Sequence, residues 1–201
     1  MTTNAIITAR YDSKRLPGKA LIPINGKNTI QRMVDALRTS NHIDKVIVAT
    51  SGQEIAQYCE DNDILYFVGD EEDCITRLYE CTKAFPSDAV IRLWGDCPLL
   101  NINLVKAAFK QKHPYHILSV SGYPSGWGFY VFVTSWFRNI YESMTTSERH
   151  HWNNVEEISC WGVHGYNTHT LTSPVDLSHI NYSLDTQGDL ERIEAICKSY
   201  E

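Results

Sequence analysis

No stretch of this chain comes near the roughly 20 consecutive apolar residues that a helix needs to cross a bilayer. Its start, MTTNAIITAR, has neither the charged opening nor the longer apolar core of a signal peptide. The expected compartment is therefore the cytoplasm. Positive charge is also in short supply. With 18 Lys+Arg against 24 Asp+Glu, the net charge of −6 excludes broad binding to nucleic acid or to an anionic membrane, each of which needs a basic face. The six cysteines (Cys59, Cys74, Cys81, Cys97, Cys160 and Cys197) form no C-x-x-C pair. Zinc spacing is thus missing, and free, mostly buried thiols are expected in a reducing compartment. There is no low-complexity tract, no internal repeat and no Pro/Gly/Ser linker, which leaves a single domain spanning 1–201. Neither G-x-x-x-x-G-K-[ST] nor G-x-G-x-x-G occurs, so a Walker loop and a dinucleotide fingerprint are both excluded.

Against this acidic background one loop stands out. Ile7–Lys19 reads ITARYDSKRLPGK and gathers Arg10, Lys14, Arg15 and Lys19, with Ser13, Pro17 and Gly18 between them, just after the apolar run Ala5-Ile6-Ile7. Fixed cations and exposed N–H groups at the C-terminal end of a strand suit a polyphosphate. Arginine offers a planar fork and lysine a compact charge. Composition alone leaves a solvated basic loop with no ligand open as well.

Hydrophobic periodicity predicts alternating strands and helices. Strands are expected at Ala5–Ala9, Lys45–Ala49, Ile64–Val68 and Asp88–Leu93. Helices are expected at Thr29–Ser40, Glu54–Asn62, Glu71–Phe85 and Ile102–Gln111. Strand–helix repetition up to about residue 112 implies an α/β fold with a mostly parallel sheet covered on both faces. Beyond it, Tyr115–Val120, Phe129–Val133 and Ile180–Leu184 read as strands. Thr134–Ser143, Ser147–Ile158 and Gln187–Tyr200 read as helices, the last with Thr186 and Asp189 spaced as a capping box. Trp161–Thr172 suggests a hairpin or inserted arm.

Two carboxylates fall where predicted strands end: Asp96 in Trp94-Gly95-Asp96-Cys97-Pro98-Leu99, and Asp185 in Asn181-Tyr182-Ser183-Leu184-Asp185-Thr186. Each alone could be a helix-terminal residue favoured by capping and the dipole. Together with a cationic loop they could hold Mg²⁺, which takes one or two carboxylates plus phosphate oxygens and water. Ser147-Glu148-Arg149-His150-His151-Trp152 offers Arg149 or His150 to an anionic second substrate, or is simply a polar helix face. Adjacent histidines point about 100° apart on a helix and do not suit one metal. Tyr123-Pro124-Ser125-Gly126-Trp127-Gly128 is a glycine-bearing turn that could wall a pocket or serve as a plain connection.

In this order the pieces resemble the cytidylyltransferases that activate acidic sugars, namely the 3-deoxy-manno-octulosonate and acylneuraminate enzymes and the related spore-coat polysaccharide synthesis proteins. The family opening A-R-x-x-S-x-R-L-P-x-K is matched by Ala9-Arg10, Ser13, Arg15-Leu16-Pro17 and Lys19, and the match runs on through Ala20–Lys27. Gly69–Asp73 with Arg77-Leu78-Tyr79, Gly95-Asp96-Cys97-Pro98-Leu99 and Ser147-Glu148-Arg149-His150 resemble the spore-coat branch in particular. Leu184-Asp185-Thr186 with Asp189-Leu190 resembles the family's closing D-T-x-x-D-L.

The resemblance implies a Rossmann-like, nucleotide-diphospho-sugar-transferase fold with a small inserted arm. It implies transfer of CMP from CTP to an acidic sugar with release of pyrophosphate, for surface polysaccharide synthesis, and a homodimer. It places Ala9, Arg10, Ser13, Arg15, Lys19 and Arg77 on the nucleotide, with Lys19, Arg15 and Asp96 catalytic and Asp96 and Asp185 on Mg²⁺. Trp94, Arg149 and His150 fall on the acceptor side. About 1–112 would bind nucleotide, about 113–180 would form the acceptor pocket and dimer arm, and 181–201 would close the fold. Two departures bear on the acceptor. Trp94 replaces a smaller or polar residue, often Gln or Thr, and region 113–180 is shorter than in many relatives. Rival expectations are another hydroxyl or phosphonate acceptor, or a nucleotide-binding protein of a polysaccharide pathway without turnover.

Overall fold

The computed structural model describes residues 1–111, 115–151 and 167–199. Its strands are β1 (Thr3–Ala9), β2 (Lys45–Thr50), β3 (Leu65–Val68), β4 (Ala89–Trp94), β5 (Ile117–Ser121), β6 (Tyr130–Val133) and β7 (Thr168–Thr172). Its α-helices are α1 (Thr29–Arg38), α2 (Gln53–Asp61), α3 (Cys74–Ala84), α4 (Ile102–Ala108), α5 (Thr134–Ser143), α6 (Thr146–His151) and α7 (Gln187–Lys198). One sheet runs in the order β3-β2-β1-β4-β6-β5-β7. β1 pairs in parallel with both β2 and β4, while β6 runs antiparallel to β4 and β5. The architecture is α/β and mostly parallel, as the strand–helix repetition implies.

Side-chain alternation explains the two covered faces. On β1, Ala5, Ile7 and Ala9 point into a core shared with Met33 and Leu37 of α1, Ile55 of α2 and Val105 of α4. Ile6 points the other way, towards Ile75 and Leu78 of α3 and Phe137 and Ile140 of α5. A third cluster joins Leu184, Leu190 and Ile193 of the C-terminal segment to Ile24, with Leu16 of the basic loop packed against it. That cluster clamps the loop onto α7.

The chain passes from β1 outward to β2 and β3, then returns to the other side of β1 as β4. The strand order therefore reverses between β1 and β4, and in open α/β sheets ligands bind at that crevice, beyond the carboxyl ends of the strands. Gly95 closes the end of β4 against β1. A Cβ at this position would lie 2.6 Å from Ala9 Cβ and 3.1 Å from the Thr8 carbonyl oxygen. Gly95→Ala is expected to destabilise the protein by about 1–3 kcal/mol through overpacking. The denaturant midpoint checks this, and an unchanged midpoint would show that the two strands part easily there.

Several elements differ from expectation. α3 starts at Cys74 rather than Glu71, because carboxylates satisfy the N–H groups ahead of it. Asp70 Oδ1 accepts from the amides of Glu72 (2.9 Å) and Asp73 (2.7 Å), and Asp73 caps the helix at the Thr76 amide. Ile180–Leu184 is not a strand. Its amides and carbonyls are shared between two loops: Ser125 N to Ile180 O (2.9 Å), Tyr182 N to Ser125 O (2.8 Å) and Leu184 N to Asp96 O (2.8 Å). Only Asn181 makes a bridge, with Ser125. Thr168–Thr172, expected within a hairpin or arm, is an edge strand parallel to β5. The remainder of Trp161–Thr172 up to residue 166, and the part of Ser147–Ile158 beyond His151, lie outside the described residues. The expected capping box is present: Thr186 N donates to Asp189 Oδ2 at 2.9 Å and Asp189 N to Thr186 Oγ1 at 3.3 Å.

Candidate active site

The basic loop leaves β1 at Ala9 and folds back on itself. The Tyr11 carbonyl accepts from the amides of Ser13 and Gly18, both at 2.9 Å. Gly18 closes that turn at φ 68°, where a side chain is disfavoured and a Cβ would press on the Tyr11 ring. The chain then enters a short 3-10 turn, Lys19–Leu21. This geometry sends Lys19 inward, with only 13% of its side chain exposed.

Lys19 is where the three separate sequence features meet. Its Nζ lies 2.8 Å from Asp96 Oδ2 and 2.8 Å from Asp185 Oδ1. Arg15 Nη2 adds a second contact to Asp185 Oδ1 at 2.8 Å, from a largely exposed side chain. Asp185 is fixed from behind, since its amide donates to Asp189 Oδ2 at 3.1 Å. Burial works to lower the Lys19 pKa, but Asp96 and Asp185 outweigh it and hold the ammonium above its ordinary value. A raised folded pKa means that the pairing stabilises the fold below the ordinary lysine pKa and is lost only as pH rises through the raised value. It is therefore intact across the neutral range.

A cavity of about 630 Å³ opens above this cluster. Ala9, Arg10, Ser13, Lys14, Arg15 and Lys19 line it from the loop, Glu71 and Glu72 from the turn before α3, Cys74 and Arg77 from its first turn, and Arg92, Trp94, Gly95, Asp96 and Asp185 from the remaining sides. Ser13 is buried and Arg10 exposed. Arg77 is buried, and its Nη1 donates to the carbonyl oxygen of Asp70. A second cavity of about 340 Å³ shares Trp94 and Asp96 with the first and is otherwise walled by Cys97, Val120–Ser125, Gly126, Gly128 and Ser183. The glycine-bearing turn thus does wall a pocket. Asp96 and Trp94 form the partition between the two cavities.

Arg149 is not brought to either cavity. Its guanidinium lies over the Tyr141 ring, 4.4 Å from the centroid, and donates to the Met144 carbonyl at 3.0 Å. The side chain of His150 lies outside the described residues. Lys14, with no role expected, lines the larger cavity. Arg92, part of the Val90-Ile91-Arg92 segment that also resembles the spore-coat branch, was given no site role, although a charge inside the apolar strand AVIRLW was a usable signal.

Among the described residues no cluster of three or more His, Cys, Asp or Glu could hold a metal by itself. The donor pair Asp96 and Asp185 nevertheless fits a divalent cation that completes its shell with phosphate oxygens and water. Both carboxylates already converge on one cationic centre, the Lys19 ammonium.

The thiols separate cleanly by environment. Burial pushes Cys59 up to about 12 and Cys81 up to about 12, the latter against an opposing effect of Arg77. Cys74, half-buried, faces the larger cavity. Alkylation at neutral pH is expected to reach Cys74 well before Cys59 or Cys81, and a nucleotide in the cavity should protect it. Peptide mass mapping after brief labelling checks this, and labelling indifferent to CTP would show the cavity to be empty of nucleotide.

A sequence model described as cytidylyltransferase matches residues 4–115. The 3-deoxy-manno-octulosonate cytidylyltransferase of Syntrophotalea carbinolica is 34% identical over 110 residues, covering 54% of this chain and 44% of the relative. The match therefore spans less than half the length of that curated relative. A cytidylyltransferase structure from Leptospira borgpetersenii superposes with TM-score 0.87 at 22% identity, covering 100% of this chain and 88% of the other. The structure of CMP:2-keto-3-deoxy-manno-octonic acid synthetase complexed with CTP superposes with TM-score 0.79 at 20% identity, covering 100% of both chains. At these identities the superpositions establish a shared fold. Among the described residues no helix is long and apolar enough to cross a membrane.

Proposed function

This chain belongs to the cytidylyltransferase family, and from that premise we propose that it transfers CMP from CTP to a hydroxyl of an acidic sugar and releases pyrophosphate. The observation that carries this is the convergence of Asp96 and Asp185 on Lys19 at the floor of a cation-lined cavity. The larger cavity takes the nucleotide, with Arg10, Lys14 and Arg15 along its triphosphate. The smaller cavity takes the acceptor, whose hydroxyl approaches the α-phosphorus past Asp96. Attack forms the new P–O bond and breaks the bond to pyrophosphate, and the hydroxyl proton goes to solvent or to a nearby carboxylate.

Asp96 and Asp185 would hold a divalent cation, Mg²⁺ in the simplest case, which supplies charge neutralisation at the phosphates. Lys19 and Arg15 then turn from carboxylates to phosphate oxygens, where negative charge grows on the leaving group. Such transfer asks little covalent work of the protein, so positioning and charge stabilisation account for the rate.

The walls of the smaller cavity favour a second reading of the acceptor. Among the described residues its only charged group is the Asp96 carboxylate; the rest are hydroxyl, glycine, aromatic and small apolar groups, with no Arg, Lys or His. An uncharged polyol would suit that lining as well as a sugar acid does. The test is pyrophosphate release with each of four nucleoside triphosphates and Mg²⁺, across a panel of acidic sugars and neutral polyols. Release with CTP and one sugar acid supports the first reading, and release with CTP and a polyol the second. Tight CTP binding without release from any pair would favour a nucleotide-binding protein without turnover.

A further inference from the structure

Arg92 is buried in the sheet at 2% exposure, yet it reaches the floor of the larger cavity. Its guanidinium lies 3.8 Å from the centre of the Trp94 ring, which fixes the plane of the fork. Two of its three nitrogens, Nε and Nη1, have no hydrogen-bond partner. Cys74, Tyr130 and Asp96 are the polar groups that act on it, and among the described residues no carboxylate makes an ion pair with it. A buried guanidinium with unspent donors is costly unless a ligand completes it.

The surroundings indicate what that ligand is. The triphosphate already has exposed cations along the loop. On the α3 side the cavity carries Glu71 and Glu72, which would repel a second anion but can accept from an amino group. Next to them the Trp94 ring and the guanidinium present a flat wall. A planar group with an amino donor beside ring acceptors matches this set. Cytosine has that edge, with N4 amino, N3 acceptor and O2 acceptor in a row.

We propose that Arg92 is a specificity residue that reads the nucleobase, donating to the N3/O2 edge of cytosine. Uracil presents an N–H at N3, so the same guanidinium would face a donor, and the nearby carboxylates would face an oxygen at C4. Rejection of the wrong base follows from unpaired buried donors rather than from size. The proposal rests on the cytidylyl-transfer reading above.

Calorimetric binding to the full chain tests it, using CTP, UTP, ATP, 3-deaza-CTP (N3 replaced by C–H) and inorganic tripolyphosphate, each with Mg²⁺. The wild-type chain is expected to prefer CTP over UTP and over 3-deaza-CTP by about 10- to 100-fold. Arg92→Met should bring CTP down to the level of UTP and leave tripolyphosphate unchanged, and Arg92→Lys should restore only part of the preference. Equal binding of CTP, UTP and 3-deaza-CTP by the wild-type chain overturns the proposal, as does an intact CTP preference in Arg92→Met. Unchanged CTP preference with lost acceptor-dependent turnover overturns it too, and would assign Arg92 to the second substrate. Should Arg92→Met fail to fold, the two analogues on the wild-type chain decide alone. A wild-type chain that binds tripolyphosphate but prefers a purine nucleotide sinks the cytidylyl-transfer reading itself.

Discussion

Asp96→Asn is expected to lower CTP-dependent pyrophosphate release on the order of 10²–10³-fold while leaving the fold intact, the scale seen when one preorganised charge-stabilising group is removed. The substitution keeps shape and removes charge. The backbone of residue 96 still accepts from the Leu184 amide at 2.8 Å, so the crossing of the C-terminal segment survives. Lys19 keeps Asp185 as partner at 2.8 Å, so the ammonium is not left without a counter-charge. What goes is the anionic oxygen at the partition between the cavities, where donor phosphate and acceptor hydroxyl would meet. The assay is turnover at saturating CTP, with a thermal melt alongside. Near-normal turnover with an unshifted melt would remove Asp96 from the reacting centre, and with it the two-cavity arrangement.

The first half of the fold was legible because its strands are buried on both faces and its helices on one. Continuous apolar runs such as Lys45–Thr50 and helix spacing such as Ile30, Met33, Val34 and Leu37 carry that distinction directly. The cluster of Lys19 with Asp96 and Asp185 was legible for another reason. Asp96 follows the buried strand β4, Lys19 closes the basic loop, and Asp185 stands directly ahead of the α7 capping box, so each lies at a junction that sequence spacing marks. The second half resisted because local pattern does not report partners. Ile180–Leu184 has strand composition, but its hydrogen bonds go to Ser125 and Asp96 in two different loops. Arg149 has the chemistry of an anion site, but an aromatic neighbour three-dimensionally close, Tyr141, takes its guanidinium. Arg92 was given no site role because the apolar residues around it identify a buried strand, and local pattern does not show that the one charge within it reaches the cavity.

Lys19→Met should separate two roles that the structure combines in one ammonium. In the free protein Lys19 stands between the two carboxylates that a divalent cation would need, 2.8 Å from each. A cation binding there without nucleotide must displace it. When nucleotide is bound, the triphosphate offers the ammonium other oxygens, and the carboxylates are released. Removing the charge while keeping most of the apolar stem therefore has opposite effects on two ligands. Binding of Mn²⁺ without nucleotide should tighten by about tenfold, because the ammonium shared by both carboxylates is gone and only the exposed Arg15 still meets Asp185. Binding of CTP should weaken by about 10- to 100-fold for loss of a charge-assisted contact to phosphate. Turnover should fall on the order of 10²–10³-fold, since the same group no longer meets charge developing on the leaving pyrophosphate. Without metal, repulsion between Asp96 and Asp185 should also lower the melting temperature, and Mn²⁺ should restore it. Mn²⁺ titration followed by electron paramagnetic resonance, with and without CTP, reads the first two effects separately. If Lys19→Met binds Mn²⁺ no better than the wild-type chain in the absence of nucleotide, the carboxylates do not form a site that lysine occupies. The pairing would then be a structural tie between the loop and α7.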